Sequence, residues 1–306
     1  MKQLKWHWSA LIMGLLLLAG CAGAATQKEP EWLAGEQMDH PLVGQLWSVK
    51  KQALVNRDMW LESLPDGVWL LVGEQHDHPD HQRLTHQWML QLAAQQRLGP
   101  LALEMARQPQ QPALDAALGQ SSVTPEMLDW QPGWPWERYG ELVQSGLLHA
   151  KRVLAADLDT QQQRDAYQQG APLPAISEAM AQVLDRMMDE GHCGQLPEAL
   201  LPKMREVQLA RDQAMAEVLL GVELDGRVGL LQAGSVHVRK DLGVPRWLPP
   251  DVKHVSVWLV QVDQRQQPQD YLPPAVDGLQ VYDYLLFTPA IMPVDYCAAF
   301  QSSSRR

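Results

Sequence analysis

Residues 67–81 read GVWLLVGEQHDHPDH, an apolar run that ends in a cluster of acidic and histidine side chains. Residues 67–72 combine Val, Leu and Trp, which is typical of a buried strand. Residues 79–96 then carry the features of a helix, because Pro79 and Asp80 are both favoured in a first helical turn. The stretch therefore predicts a strand, a polar turn and a helix, the repeating unit of an α/β fold.

Further short apolar runs alternate with helical patterns along the chain. The predicted strands cover residues 67–72, 100–103, 152–156, 228–231, 255–262 and 281–287. Between the third and fourth strands, residues 176–190 and 202–220 carry apolar side chains at the three- and four-residue spacing of amphipathic helices. This alternation predicts an α/β fold with a largely parallel central sheet, flanking helices and a helical insertion between the third and fourth strands.

The composition is that of a globular protein, with 46% hydrophobic and 20% charged residues in a chain of 306. This balance excludes a fibrous chain and wholesale disorder. The formal net charge of -11 also argues against binding to nucleic acid, because proteins that bind its phosphates usually carry an excess of basic residues. We therefore expect no nucleic acid among the partners of this protein.

The first 21 residues, MKQLKWHWSALIMGLLLLAGC, have the layout of an export signal. Lys2 and Lys5 supply a positive start, and the apolar run that follows is shorter than the roughly 20 residues of a membrane span. The run ends in LAGC, residues 18–21, which resembles a bacterial lipobox. The pattern predicts cleavage before Cys21 and lipidation of its thiol by acyl chains such as palmitate, and an ordinary secretory signal or a short buried helix is the alternative.

This reading divides the chain into four segments. They are a signal peptide (residues 1–20), a lipidated tether (21–38), an α/β domain (39–300) and a flexible tail (301–306). Ala22 rather than Asp follows Cys21, and by resemblance to the sorting rules of enteric-type bacteria this favours the outer membrane. No later run reaches 18 apolar residues, so we expect the rest of the chain to face the periplasm.

Two cysteines, Cys193 and Cys297, remain after lipidation of Cys21. In an oxidising compartment an even pair of thiols favours a disulfide. The alternative is two unpaired thiols. The sequence thus predicts a Cys193–Cys297 bridge.

Polar side chains follow several predicted strands at the point where each strand ends. Glu74 and His76 follow the first strand, Glu104 the second and His237 the fourth. The carboxyl ends of parallel strands share one edge of a sheet, and ligands of open α/β sheets bind there. We therefore expect these four side chains to form one site. Two further residues are expected nearby: His81 and Asp157.

Residues of these types have three interpretations. A histidine oriented by a carboxylate serves as a general base, which makes Glu74, His76, Glu104 and His237 candidate catalytic residues. Alternatively, His76, Glu104 and His237 are candidate ligands of a divalent metal that activates water. The third interpretation is a polar network that only satisfies buried strand ends.

Several segments together resemble the ChaN family, the haem-binding uptake branch of the Tiki/TraB/erythromycin-esterase-like superfamily. They are GEQHDHPDH, ALEM, QLARDQAMA, LLQAGSVHVRKDLGVPRWL and the Trp-rich WQPGWPWERY (residues 73–81, 102–105, 208–216, 230–248 and 130–139). The resemblance covers residues 40–265, and the lipobox fits it because relatives are lipoproteins.

The resemblance implies a protein that binds haem and acts in iron acquisition at the outer membrane. In a relative, two haems stack face to face within a dimer, a tyrosine ligates the iron, and a basic residue and a histidine hold the propionates. It therefore implies haem as cofactor, a homodimer and an outer-membrane haem receptor as partner. Tyr139, which follows the Trp cluster in a helical segment, is the candidate haem ligand. The other tyrosines stay open: Tyr167, Tyr271, Tyr282, Tyr284 and Tyr296.

Wider relatives in the superfamily are hydrolases or proposed metalloproteases, which use the equivalents of Glu74, His76, Glu104 and His237 to activate water. We thus expect an outer-membrane lipoprotein that faces the periplasm and binds haem. A metal-dependent or His/Glu-dependent hydrolase is the alternative, and a structural lipoprotein with a degenerate site is the third interpretation.

Overall fold

The structure is a computed structural model that describes residues 32–298 of the chain. These residues are organised around an eight-stranded sheet. The strands are β1 (Leu46–Ser48), β2 (Ala53–Val55), β3 (Val68–Glu74), β4 (Leu98–Arg107), β5 (Val153–Asp157), β6 (Val228–Gly234), β7 (His254–Gln261) and β8 (Tyr284–Thr288). Their order across the sheet is β2-β1-β8-β7-β3-β6-β4-β5. Neighbours from β8 to β5 run parallel, whereas β1 pairs antiparallel with both β8 and β2.

This topology confirms the predicted fold class. The sequence also predicted the six strands β3 to β8, although β3, β4 and β6 extend further than the apolar runs indicated and β8 begins three residues later. The antiparallel β1–β2 hairpin was missed, because strands of three residues are too short to show an alternating pattern.

Seven helices accompany the sheet in the described residues. They are α1 (Arg57–Glu62), α2 (Pro79–Ala94), α3 (Gln111–Ala117), α4 (Trp136–His149), α5 (Thr160–Gln169), α6 (Glu178–Gly191) and α7 (Leu201–Leu220). Helices α5, α6 and α7 lie between β5 and β6, where the helical insertion was predicted. No helix of residues 32–298 is long and apolar enough to cross a membrane.

The sequence of strand β3 is almost continuously apolar because both of its faces are buried. Leu70 and Val72 belong to the hydrophobic cluster on one side of the sheet, together with buried side chains of α2 and α4. Trp69 and Leu71 belong to the cluster on the other side, together with Met215 of α7. Successive side chains of a strand point to opposite faces, so a strand covered by helices on both faces has no solvent-facing set.

The segment before β1 is attached to the fold from its first described residues. The backbone N–H groups of Leu33 and Ala34 donate to the buried carboxylate of Asp80 at the start of α2. Glu36 then pairs with Ala290 in an antiparallel bridge. The predicted tether extended to residue 38, whereas these bonds place residues 33–36 in the folded unit. The predicted signal peptide, the predicted lipidation site Cys21 and the predicted tail after residue 300 lie outside the described residues.

Cys193, just after α6, and Cys297, near the end of the described chain, form a disulfide. Their Cα atoms are 5.6 Å apart, and 104 positions separate them in the sequence. The bridge ties the segment that follows β8 to the helical insertion between β5 and β6.

A buried polar cluster at the carboxyl edge of the sheet

The four predicted site residues lie in, or shortly after, three neighbouring strands. Glu74 ends β3, and His76 follows it by two residues. Glu104 lies in β4 directly after Leu103, the last residue of that strand in register with β6. His237 lies in the turn after β6, where its N–H donates to the Gly234 carbonyl. Because β3, β6 and β4 are adjacent and parallel, the structure brings all four side chains to one edge.

The Glu74 carboxylate is buried and contacts four donor groups. Its Oε1 atom accepts a hydrogen bond from the Tyr139 hydroxyl at 2.6 Å and lies 2.8 Å from His76 Nδ1. Its Oε2 atom accepts from the amide of Gln82 at 2.7 Å and from the amide of Gln232. These donors come from α4, α2 and β6, so packing of two helices on the sheet stabilises a buried negative charge.

His76 is the member of the cluster that solvent reaches, with 41% of its side chain exposed. Its Nδ1 atom bonds Glu74, and its Nε2 atom lies 3.9 Å from Glu104 Oε1. Burial lowers the pKa of His76, but the Glu74 hydrogen bond and the Glu104 charge outweigh it, so the pKa is raised above 6.5. The ring of Trp134 packs edge-on against His76, with ring centroids 4.8 Å apart.

Gly234 at the end of β6 permits this close arrangement. Its backbone N–H donates to Glu104 Oε2 at 2.6 Å. A Cβ atom at this position would lie 2.9 Å from His76 Nε2, closer than van der Waals contact allows. Any larger residue at this position would displace the His76 ring from the strand end.

His237 forms a second imidazole–carboxylate pair inside the protein. Its Nδ1 atom lies 2.6 Å from Asp212 Oδ1, and its Nε2 atom lies 3.3 Å from Glu104 Oε1. Burial opposes protonation, but the Glu104 and Asp212 charges outweigh it and raise the pKa of His237 to about 9. At neutral pH, His237 is therefore a buried cation between two carboxylates.

Helix α7 supplies residues that the strand-end reasoning missed. Arg211 donates to Glu104 Oε1 at 2.7 Å and to Asp157 Oδ1 at 2.8 Å. The charges of His237 and Arg211 outweigh burial and hold the pKa of Glu104 well below its usual range. The sequence feature that could have identified these residues is helical spacing. Arg211 and Asp212 follow Gln208 by three and four residues, which places all three on one face of α7.

The two further residues expected near the site differ in their roles. Asp157 is connected to the cluster through Arg211, which donates to both Asp157 and Glu104. His81 is fully buried and stacks on His78, with ring centroids 3.9 Å apart. Its ring atoms contact the Gln75 N–H at 2.9 Å and the Thr288 hydroxyl at 3.1 Å. His81 thus holds the loop that carries His76 and lies outside the cluster itself.

The predicted divalent metal site is not supported. Among residues 32–298, no group of three or more His, Cys, Asp or Glu side chains is arranged to hold a metal ion. The physical reason lies at Glu104, whose two oxygens already bind the Arg211 guanidinium and the Gly234 N–H. The Arg211 guanidinium, 2.7 Å from the Glu104 carboxylate, occupies the place of a metal cation and neutralises the negative charge that such a cation would bind.

The structure also weighs against Tyr139 as a haem ligand. Its side chain is 0% exposed, and its hydroxyl donates to Glu74. Burial and the neighbouring Glu74 charge raise the pKa of Tyr139 far above its usual value, which opposes the phenolate that iron would bind. Tyr139 therefore positions Glu74.

The cluster as a whole is suited to proton transfer. Two imidazole–carboxylate pairs, Glu74–His76 and Asp212–His237, converge on one oxygen of Glu104. His76 is open to molecules from outside, while the buried His237 cation supplies a fixed positive charge. An imidazole oriented by a carboxylate and placed at an opening can accept or donate a proton.

The fold and this cluster define an α/β protein with a polar site at the carboxyl edge of a parallel sheet. The family model described as haem-binding uptake, Tiki superfamily, ChaN, matches residues 60–248. The match spans more than half of the chain, and the chain belongs to this family. The matched range includes Glu74, His76, Glu104 and His237.

One solved structure shows the same fold. The chain is similar to ChaN of Campylobacter jejuni, described for its cofacial haem binding, at 23% identity and a TM-score of 0.65, over 79% of this chain and 95% of that one. More distant are a mutant of the erythromycin esterase EreC in its open conformation (10% identity, TM-score 0.49, 82% and 99% covered) and the type III effector HopBA1 (13%, 0.41, 72% and 87%). No curated protein matches the chain.

Proposed function

We propose that this protein binds haem at the outer membrane, as a lipid-anchored lipoprotein that faces the periplasm and takes part in haem or iron uptake. Membership of the haem-binding uptake family over residues 60–248 carries the proposal. The cofacial haem binding described for the Campylobacter jejuni protein supports a homodimer that encloses haem. A haem receptor in the same membrane is the proposed supplier or acceptor.

Carboxylates engage the solvent-reachable histidine of the polar cluster. The Nδ1 atom of His76 lies 2.8 Å from Glu74 Oε1, and its Nε2 atom lies 3.9 Å from Glu104 Oε1. Haem iron takes His, Met, Cys or Tyr ligands, and these must face open space. Exposed apolar and ligand-type side chains occur instead after β8, at Met292, Val294 and Tyr296. The described residues therefore fit haem at the protein surface.

Haem titration of the full-length protein in detergent tests the proposal. Stoichiometric binding shifts the Soret band and saturates near one haem per chain. Haem also partitions into micelles, so the same detergent without protein is the control. A spectrum identical to that of haem in empty micelles would contradict the proposed haem binding.

Hydrolysis at the polar cluster is the second candidate, supported by a specific observation. Three oxygen atoms around the cluster are buried and have no hydrogen-bond partner within residues 32–298: Gln82 Oε1, Gln232 Oε1 and Asp212 Oδ2. Buried polar atoms are nearly always paired, so these three oxygens suit bonds to buried water. Solvent-reachable His76, oriented by Glu74, suits a water or substrate hydroxyl activated by an imidazole base.

A panel of chromogenic esters and amides tests this candidate. If His76 is the base, His76→Asn should lower turnover by about 100-fold or more. Turnover of the wild type should rise with pH through the raised pKa of His76, because only the neutral imidazole accepts a proton. His86→Asn is the matched control, since His86 bonds Ser145 between α2 and α4, away from the cluster. Equal turnover in the two variants would exclude His76 as the base.

A further inference from the structure

A cavity of about 410 Å³ lies between the N-terminal halves of α2 and α4, and we call it the α2–α4 cavity. Gln82 of α2 lines it together with Arg138 and Leu142 of α4. Leu33, from the segment before β1, also lines it. A cavity of this size is within the range of sites that hold small organic ligands.

Two residues in the wall of this cavity also hold the polar cluster in place. The guanidinium of Arg138 donates to the backbone carbonyl of His76. The amide nitrogen of Gln82 donates to Glu74 Oε2 at 2.7 Å and lies 3.3 Å from the same carbonyl. Because Glu74 orients the His76 ring, a ligand that moves Arg138 or Gln82 changes the surroundings of His76.

Arg138 has a positive charge available for a ligand. It is half-buried, and within residues 32–298 no carboxylate forms an ion pair with it. Arg83, in the same wall, is instead paired with Asp80. The His76 carbonyl takes only part of the N–H donors of a guanidinium, and a carboxylate matches the remaining donors best.

Gln82 calls for a hydrogen-bond donor next to that carboxylate. Its side chain is 2% exposed, and its orientation is fixed because the nitrogen faces the Glu74 carboxylate. The oxygen, Oε1, is buried and has no hydrogen-bond partner within residues 32–298. Buried acceptors are nearly always paired, so an N–H group of a ligand would take the bond that buried water otherwise supplies.

The remaining walls call for an apolar group and a cationic group. Leu33, 63% exposed, and the buried Leu142 supply apolar surface. Glu137 and Glu141 line the cavity from its solvent side, and 82% of the Glu141 side chain is exposed. A short peptide carries all four groups together: a C-terminal carboxylate, the amide N–H beside it, an apolar side chain and an N-terminal ammonium.

We propose that the α2–α4 cavity binds a short peptide by its C-terminal carboxylate and that the bound peptide acts on His76. The carboxylate pairs with Arg138, the last amide N–H donates to Gln82 Oε1, and the C-terminal side chain packs against the two leucines. His86 also lines the cavity, but its ring is bonded to Ser145 and takes no part. This site does not depend on the proposed haem binding.

Isothermal titration calorimetry of the full-length protein in detergent tests the site, with the dipeptide Gly-Leu as the probe and empty micelles as the blank. Gly-Leu should bind saturably, near one molecule per chain. Glycyl-leucinamide lacks the carboxylate and should bind about tenfold or more weakly, the effect of losing a charge-assisted hydrogen bond. No binding of Gly-Leu, or equal binding of the two probes, would overturn the proposal.

Two variants locate the bound peptide. Leu33→Trp enlarges an exposed side chain that lines the cavity, so it should weaken Gly-Leu binding by about tenfold or more. Leu54→Trp is the matched control, since Leu54 lies on β2 and is 51% exposed. Arg138→Gln should bring the affinities for Gly-Leu and glycyl-leucinamide together, which general damage to the fold would not do. Unchanged affinity in Leu33→Trp would show that the peptide binds elsewhere.

The NMR resonances of the His76 ring measure the effect of the peptide on the polar cluster. They are identified as the ring signals that are missing in His76→Asn. In the wild type they should shift with the dissociation constant of Gly-Leu, and in Leu33→Trp they should stay in place at the same peptide concentrations. Unshifted His76 signals at saturating Gly-Leu would overturn the coupling. The titration contains no haem, so failure here leaves the proposed haem binding unaffected.

Discussion

His237 and Asp212 form a buried imidazole–carboxylate pair in which the Nδ1 and Oδ1 atoms are 2.6 Å apart. Glu104 approaches the other face of the same ring, with its Oε1 atom 3.3 Å from His237 Nε2. The proton on His237 therefore stabilises the buried Asp212 carboxylate and adds to the Arg211 charge that stabilises Glu104. This arrangement links the free energy of unfolding to pH.

The free energy of unfolding should fall as pH rises from 6.5 through 9. The folded-state pKa of His237 is about 9, above the unfolded value of 6.5, so its contribution is fully present below pH 6.5 and lost above the folded pKa. The shift corresponds to at most about 3 kcal/mol. Urea unfolding at a series of pH values measures it. His237→Gln should flatten this dependence, whereas His149→Gln, exposed at the end of α4, should not. An unchanged slope in His237→Gln would contradict the assignment.

Tyr139→Phe should lower the free energy of unfolding by about 2 kcal/mol, the usual contribution of a hydrogen bond to a charged group. The variant removes the donor that lies 2.6 Å from Glu74 Oε1 while leaving the ring in the core. Tyr167→Phe on α5 is the control and should change stability little. Because Tyr139 positions Glu74, its replacement should leave the haem Soret band unchanged. A lost or shifted Soret band in folded Tyr139→Phe would instead indicate that Tyr139 ligates the haem iron.

Removing the disulfide should lower the free energy of unfolding by up to about 4–5 kcal/mol, the chain-entropy value for a loop of about 100 residues. The comparison is between Cys21→Ser and the triple variant Cys21→Ser/Cys193→Ser/Cys297→Ser, so that only the bridged pair differs. A reductant should destabilise the first protein and leave the second unaffected. Alkylation of unfolded, non-reduced Cys21→Ser should find no free thiol, and two labelled thiols would exclude the bridge.

Cys21→Ser should abolish processing at the lipobox and leave the protein without acyl chains. Labelling of cells with palmitate and fractionation of inner and outer membranes measure both effects. Thr26→Ser, close to Cys21 but outside the LAGC motif, is the control and should behave as the wild type. Normal palmitate uptake and outer-membrane fractionation of Cys21→Ser would exclude the predicted anchor.

The sequence was sufficient for the parallel part of the sheet because those strands are buried on both faces. Their apolar runs stand out from the helical patterns, and each ends at a polar residue or glycine, as residues 67–76 show. The edge hairpin β1–β2 has no such run. Its position next to β8 depends on contacts between residues far apart in the chain, such as Leu46 opposite Leu286.

The same contrast applies to the polar cluster. The residue pattern was enough to predict that Glu74, His76, Glu104 and His237 meet, since parallel strands place their carboxyl ends at one edge. What these side chains contact depends on tertiary packing. Tyr139, Gln82 and Arg211 come from helices whose rotation and depth depend on packing against the sheet, and no short-range pattern encodes that packing. Those helical donors turn the predicted metal site into a hydrogen-bonded, proton-carrying network.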